Sequence, residues 1–247
     1  MSTSTAVQVA RGDVAGGTAL LVAGLALLGA SLLEFAPGEA RGDGDNPADS
    51  LRYLAEFGDL YSYSGLALVV AGVALVVGVI TVHSLQRGRG RSLGFDTVSV
   101  FGVLAAGFFA TTVVMRMQAS GTMPHTQSLD ESWGEAAYLV VQMAGTQGLL
   151  STGMIALALW LVAASTVFAR RGVRAPAVVA VFPVAVLLVL IGDIVAPSLA
   201  GSLSGEGVFL AYIAAALFGL PVSCAAVGLA LVMRRSREKP RTVSPQN

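Results

Sequence analysis

Cysteine occurs once in this 247-residue chain, at Cys224 inside an apolar run. An intramolecular disulfide and a cysteine-built zinc site are therefore both excluded. We read the lone thiol as a small apolar filler. Histidine occurs only at His83 and His125. The segment pattern places them at opposite ends of the apolar runs, so they cannot share one haem or metal, and no cofactor is expected. Charge is scarce: Asp, Glu, Lys and Arg make up 12% of the residues, about half the share of a soluble domain. So little charge cannot cover a water-facing surface of this length. Sequence signatures of chemistry are missing too. There is no Walker A loop, Rossmann glycine fingerprint, Gly-x-Ser-x-Gly or His-Glu-x-x-His. An intramembrane hydrolase would need a buried nucleophile–base pair or a metal cluster, and the sequence shows neither. The chain is not expected to be an enzyme.

What the chain has in quantity is apolar sequence, 55% of its residues, with a mean hydropathy of +0.74. It falls into six runs: Val14–Phe35, Tyr61–Val82, Phe95–Met115, Leu139–Phe168, Ala175–Pro197 and Phe209–Met233. Each reaches the roughly 20 residues a helix needs to cross the hydrocarbon core. Backbone in lipid must satisfy its own hydrogen bonds, which leaves helices or a closed barrel. Barrel strands would be about 10 residues long with alternating polarity. These runs are longer and do not alternate. The expectation is an all-α integral membrane protein, with a six-transmembrane-helix bundle over residues 14–233.

The links between runs alternate in charge. Arg11 precedes the first run. Arg87, Arg89 and Arg91 follow the second, Arg170, Arg171 and Arg174 the fourth, and Arg234, Arg235, Arg237, Lys239 and Arg241 the last. The opposite links carry only Arg41, Arg52 and Arg116, with most of the acids. Basic links stay cytoplasmic, so both termini are read as cytoplasmic, 1–13 as the N-terminal segment and 234–247 as a disordered basic tail. The first run is too long for a signal-peptide core and is read as a retained helix. Only Lys239 breaks an all-arginine basic set. That bias, with the Ala, Gly and Val content, suggests a GC-rich bacterial gene and hence the plasma (inner) membrane. The net charge of zero gives no reason to invoke nucleic acid. The expected partners are the lipid bilayer and either further copies of the chain or another membrane protein.

The outer links have local signals. Loop 36–60 contains Asn46 before Pro47, an N-cap followed by proline at the first helical position, and predicts an amphipathic surface helix over about 47–58. The second outer loop, 116–138, contains Ser128-Leu129-Asp130-Glu131, a capping-box pattern. A helix from there to Phe168 would span twice the hydrocarbon, so it either projects outward or breaks near Gly145 or Gly148. Trp133, Tyr138, Tyr61 and Tyr63 fit an outer aromatic belt. Pro183 and Pro221 predict kinks that strip the carbonyls of Val179 and Leu217 of their usual donors. Gly17, Gly24, Gly65 and Gly72 would let helix backbones approach closely.

Ionisable groups within membrane helices are the default place to look for function. Asp193 lies near the outer end of the fifth run, with Arg116 ending the third and Glu34 the first on the same side. With Gln142 and Gln147 they would line an outward-facing polar pocket. The competing reading is a single buried ion pair, Asp193 or Glu34 with Arg116, pinning helices together. Met115, Met117, Met123, His125 and Met143 supply soft groups of the kind that suit Cu(I), without regular spacing. Asp96 is read as a helix cap or dipole partner. The functional expectation is a transporter or permease-like bundle. The alternatives are a non-catalytic membrane partner or assembly subunit, and an ABC-exporter membrane subunit. The last would call for a basic amphipathic segment before the first helix, where only Arg11 occurs.

Overall fold

The computed structural model describes residues 3–35, 47–87, 93–170, 180–188 and 214–237. They form α1 (Thr3–Phe35), α2 (Pro47–Arg87), α3 (Leu93–Leu129), α4 (Glu131–Val140), a π-helical stretch Val141–Leu150, and α5 (Ser151–Arg170). Residues 180–188 form α6. A second π-helical stretch, Ala214–Gly219, leads into α7 (Leu220–Arg237). Among the described residues there is no strand. Among the described residues, five helical segments are long and apolar enough to cross a membrane: Val14–Glu34, Leu51–Ser84, Asp96–Leu129, Gly148–Thr166 and Ala214–Met233. The run Ala175–Pro197 is described only in part, as α6. Pro183 is buried there, and Val179 lies outside the described residues.

Close contacts fix the order and sense of the helices. On α1 and α2, Gly16 meets Thr81 and Leu20 meets Gly78. On α2 and α3, Gly72 meets Ala106, and Ser62 lies 3.3 Å from Ser120. On α3 and α5, Gly102 meets Trp160 and Phe109 meets Gly153. In each pair one number rises as the other falls, so neighbours run antiparallel. α7 packs back along α1 in the same sense, through Gly17 with Gly228 and Gly24 with Ala225. The buried core runs through all of them: Leu20, Leu75, Phe109, Trp160 and Leu220 are each fully enclosed. Exposed apolar residues recur at helical spacing along α2, at Leu66, Val70, Val73, Val77 and Ile80, which is the stripe left for lipid.

Lipid tails are as apolar as leucine, so these helices are held by close packing rather than by escape from water. The α1–α7 crossing shows the demand. A Cβ on Gly228 would sit 2.5 Å from the Gly17 carbonyl oxygen and the Leu21 nitrogen, and one on Gly24 would sit 2.5 Å from the Pro221 carbonyl oxygen. These are backbone atoms and cannot swing away. The same crossing resolves the proline defect. Ser31 of α1 donates to the Leu217 carbonyl at 2.8 Å, with the Leu27 carbonyl at 3.1 Å as an alternative acceptor. Leu217 is the residue whose carbonyl Pro221 leaves without its usual donor. Farther along the same crossing, Cys224 is fully buried with its Sγ 3.6 Å from the Leu20 carbonyl.

The links after the first and third runs are, where described, more helical than the apolar runs imply. α2 has 41 residues and α3 has 37, about 60 and 55 Å, so both outrun the hydrocarbon. α2 starts at Pro47 and bends at Phe57, the one residue inside it with non-helical backbone (φ −118°, ψ 21°). Arg116 does not end α3, which continues to Leu129: nothing between Met117 and Thr122 breaks the helix, and α2 and α4 pack against its extension. The capping box also reads differently. Asp130, not Ser128, caps α4, its carboxylate accepting from the Ser132 N–H at 2.9 Å and the Ser132 hydroxyl at 2.6 Å. The Ser132 hydroxyl and then its amide hold the Asp130 carboxyl below its ordinary range. Ser128 instead donates to the His125 carbonyl, closing the end of α3. From Glu131 to Arg170 the chain stays helical, and Gly145 and Gly148 fall within its π-helical stretch.

Two outcomes follow from this packing. Ser31→Ala should lower stability by about 1–3 kcal/mol, the range for leaving a buried carbonyl unsatisfied. In a Pro221→Ala background, which returns an N–H to that turn, the loss should shrink. Equal losses in both backgrounds, measured by unfolding in detergent, would show the two sites uncoupled. Secondly, a depressed carboxyl stabilises its fold above the unfolded value of about 3.9 and loses that contribution as pH falls through the lower, folded value. Amide protection at Ser132 and Trp133, corrected for intrinsic exchange, should therefore be flat above about pH 4 and decline below it. The decline should be absent in Asp130→Asn.

Candidate functional site

The end of the helical core where α1 ends and α2 begins holds a layer of polar groups contributed by three helices. Arg116, 1% exposed, projects from α3. One guanidinium nitrogen donates to Glu34 Oε2 of α1 at 3.0 Å, and the other donates to Ser64 Oγ of α2 at 2.8 Å. The guanidinium also lies over the Tyr61 ring, 4.9 Å from its centre. Arg116 Nε has no hydrogen-bond partner among the described residues. Ser64 passes its own proton to the Tyr61 carbonyl at 2.8 Å, so its oxygen is free to accept from Arg116. The antiparallel register explains the meeting: Glu34, Ser64 and Arg116 fall at one height on three adjacent helices.

Both π-helical stretches reach this height. Gly145 packs on Met115, and Leu217 packs on Ser31. Stretches of this kind are frequent at functional sites, because the extra residue re-aims side chains and frees backbone groups. Above the layer lies a second apolar cluster of Leu51, Tyr53, Leu54, Tyr61, Ala119 and Met123, with Phe57, Tyr138 and Val141 against it. It forms a cap from the outer extensions of α2 and α3 together with α4, and it closes the layer from outside. One helical turn beyond Arg116, a cleft of about 370 Å³ opens between Glu56, Gly58, Asp59 and Ser62 on α2 and Ser120 and Gly121 on α3.

Of the residues singled out in the sequence, Glu34 and Arg116 are brought together. Asp193 lies outside the described residues. Gln142, Gln147 and Met143 belong by backbone to the first π-helical stretch. Among the soft groups, Met123 is buried in the cap, Met115 packs beside Gly145, and Met117 and His125 are exposed. No group of three or more His, Cys, Asp or Glu residues placed to hold a metal occurs among the described residues.

A second polar group, at the opposite end of the core, was not anticipated. His83 of α2 places Nδ1 3.1 Å from Ser99 Oγ and Nε2 3.5 Å from Asp96 Oδ1, both on α3. Asp96 does lie in the first turn of α3, as expected of a dipole partner, but it also faces this imidazole. The signal was present in the sequence. His83 and Ser99 stand eight residues either side of Arg91, so a hairpin folded about that link brings them level. Comparison with known proteins gave no match to a family model, to a curated protein or to a solved structure.

Breaking a buried pair by removing one partner strands the other charge, at about 3–5 kcal/mol, whereas replacing both with apolar groups of similar size is often neutral. Glu34→Ala should accordingly destabilise by about 3–5 kcal/mol. Glu34→Leu with Arg116→Met should recover most of that. If the double variant were as unstable as Glu34→Ala in detergent unfolding, the layer would owe its role to something other than charge pairing.

Proposed function

We propose that the chain is a small transporter of permease type in the bacterial plasma membrane, with six spans and both termini cytoplasmic. The topology is supported by the helix ends. Arg87, Arg170 and Arg237 end α2, α5 and α7 at one end of the antiparallel bundle, the end that basic residues keep in the cytoplasm. The transport reading rests chiefly on one observation: a buried arginine whose Nε–H has no partner among the described residues, level with two π-helical stretches and sealed by an apolar cap. Arginine is suited to this task because it stays charged and presents several donors in a rigid fork. In this reading the cap swings at the Phe57 bend to admit a small solute. The solute's anionic group takes Arg116 donors from Glu34, and Tyr61 holds the guanidinium in place during the exchange. Residues Asp193, Gln142 and Gln147 remain candidates to complete the pocket.

A second reading, a non-catalytic partner or assembly subunit, has one observation in its favour. Leu129, Trp133 and Val140 are 67, 62 and 65% exposed on the outer extension. They form an apolar stripe beyond the polar layer.

Uptake of labelled acetate, lactate and phosphate into proteoliposomes tests the first reading. At least one should enter faster than in protein-free vesicles. Arg116→Gln should reduce that entry by about tenfold or more, as expected for losing a buried charge contact, with Arg116→Lys retaining part of it. Entry of every probe at the protein-free rate, or a folded Arg116→Gln variant with undiminished uptake, would count against transport through this layer.

A further inference from the structure

The charges of the Arg116 layer constrain what can enter it. Among the described residues, Glu34 and Arg116 are the buried acidic and basic side chains. One is negative and one positive, so the resting layer is neutral. The apolar core encloses it on one side and the apolar cap on the other. An ion left there without a counter-ion bears its desolvation penalty in full. A solute that takes Arg116 from Glu34 must therefore leave the layer as neutral as it found it.

Charge type then selects the solute. A monoanion on Arg116 leaves two negative groups sharing one guanidinium. A monocation on Glu34 leaves two positive groups sharing one carboxylate. An uncharged solute exchanges a charged contact for a weaker neutral one. A zwitterion adds one charge of each sign. Its carboxylate takes the guanidinium, its ammonium takes the released Glu34, and no charge is stranded. The donor set suits the carboxylate half. Arg116 Nη2, which holds Glu34, and Nε, which has no partner among the described residues, share one edge of the guanidinium. Such an edge grips a carboxylate through two parallel hydrogen bonds. Nη1 can keep Ser64 throughout.

Spacing narrows the class. The resting pair is 3.0 Å apart. A solute inserted between its members needs its own two charges close together, as on the single carbon of an α-amino acid. The approach to the layer agrees. Segments 47–63 and 117–140 carry Asp49, Glu56, Asp59, Asp130, Glu131 and Glu135 against Arg52 and His125. Glu56 and Asp59 line the cleft one turn beyond Arg116. This excess of acid repels a free anion and tolerates a solute with a positive end. We propose that the Arg116 layer takes a small α-amino acid, its carboxylate on Arg116 and its ammonium on Glu34. The proposal rests on the transport reading of this layer, and binding is measured apart from uptake so that the two can fail separately.

Three matched solutes test it. Alanine, lactate and alaninamide share one skeleton, but lactate lacks the ammonium and alaninamide lacks the carboxylate. Binding is read as a rise in the unfolding midpoint of the full chain in detergent, and uptake is followed in proteoliposomes. Alanine should raise the midpoint at about tenfold lower concentration than either analogue, and should enter about tenfold faster. Glu34→Gln leaves the layer with one positive charge and should reverse the order in favour of lactate. Should that variant not fold, the three-solute comparison in the wild type decides alone. No response to alanine, an equal response to lactate or alaninamide, or a folded Glu34→Gln variant that still prefers alanine would overturn the proposal. Alanine that binds in this order but enters at the protein-free rate would support the site and sink transport. Lactate entering as fast as alanine by an Arg116-dependent route would keep transport and sink the amino-acid assignment.

Discussion

A guanidinium taken out of water must be matched by partners that replace what water supplied, or the desolvation penalty of several kcal/mol per ion goes unanswered. Arg116 meets that requirement with groups from two other helices. Glu34 neutralises it, Ser64 accepts from it, and the Tyr61 ring offers its face. The consequence is geometric. α1, α2 and α3 can slide along one another only by stranding a charge, so their heights are fixed together. The remaining contacts follow that register: Gly72 against Ala106, Gly78 against Leu20, and His83 against Ser99 at the far end. Apolar packing alone would not choose among registers so sharply, because Ala, Val and Leu recur along every helix.

The two polar layers differ in how they are protected. The Arg116 layer is enclosed by the core below and the aromatic-rich cap above, so its interactions act at low effective dielectric and are strong. The His83 layer is open at its edge, with Asp96 nearly half exposed, and its contacts are weaker and exchangeable. One end of the bundle is thus enclosed and the other open at its edge. That asymmetry agrees with the chain itself. The segments at the Arg116 end are long enough to extend α2 and α3 and to form α4, whereas the link between α2 and α3 spans only residues 88–92.

Much of this was legible in the sequence and part was not, for physical reasons. Long apolar runs and their separations specify transmembrane helices directly, since lipid leaves the backbone few alternatives. Pro221 announced an orphaned carbonyl, and the glycines announced close approach. The sequence did not say that Ser31 would answer the first or that α7 would be the partner for Gly17 and Gly24, because α1 and α7 lie at opposite ends of the chain. Arg116 was read as the end of a helix because apolarity stops there. Helicity does not: once α2 and α4 cover the polar extension, its backbone bonds persist and α3 runs on to Leu129. The carboxylate partner was weighed between Glu34 and Asp193, and pattern alone could not choose. Reflection about the hairpin links could have aligned Glu34, Ser64 and Arg116, but only once the length of the outer helix starting at Pro47 was known.

Under the transport proposal, the Arg116 Nε–H, which has no hydrogen-bond partner among the described residues, would separate a structural pin from a working site. A pair that only holds helices together gains from satisfying every donor, and each buried donor left unmade costs about 1–3 kcal/mol or more when charged. A site that must accept a ligand has the opposite need. It keeps a donor in reserve and makes its resting partner removable, so that the incoming group replaces contacts rather than adding a charge to an apolar interior. In the proposed reading Arg116 would have this form, with Glu34 as the resting partner and Nε in reserve among the described residues. The cap above it bends at Phe57, outside the tightly packed glycine crossings, so opening there would leave the α1–α7 seam intact. In the proposed reading, a lid that moves while the register holds would let one buried charge serve both stability and passage.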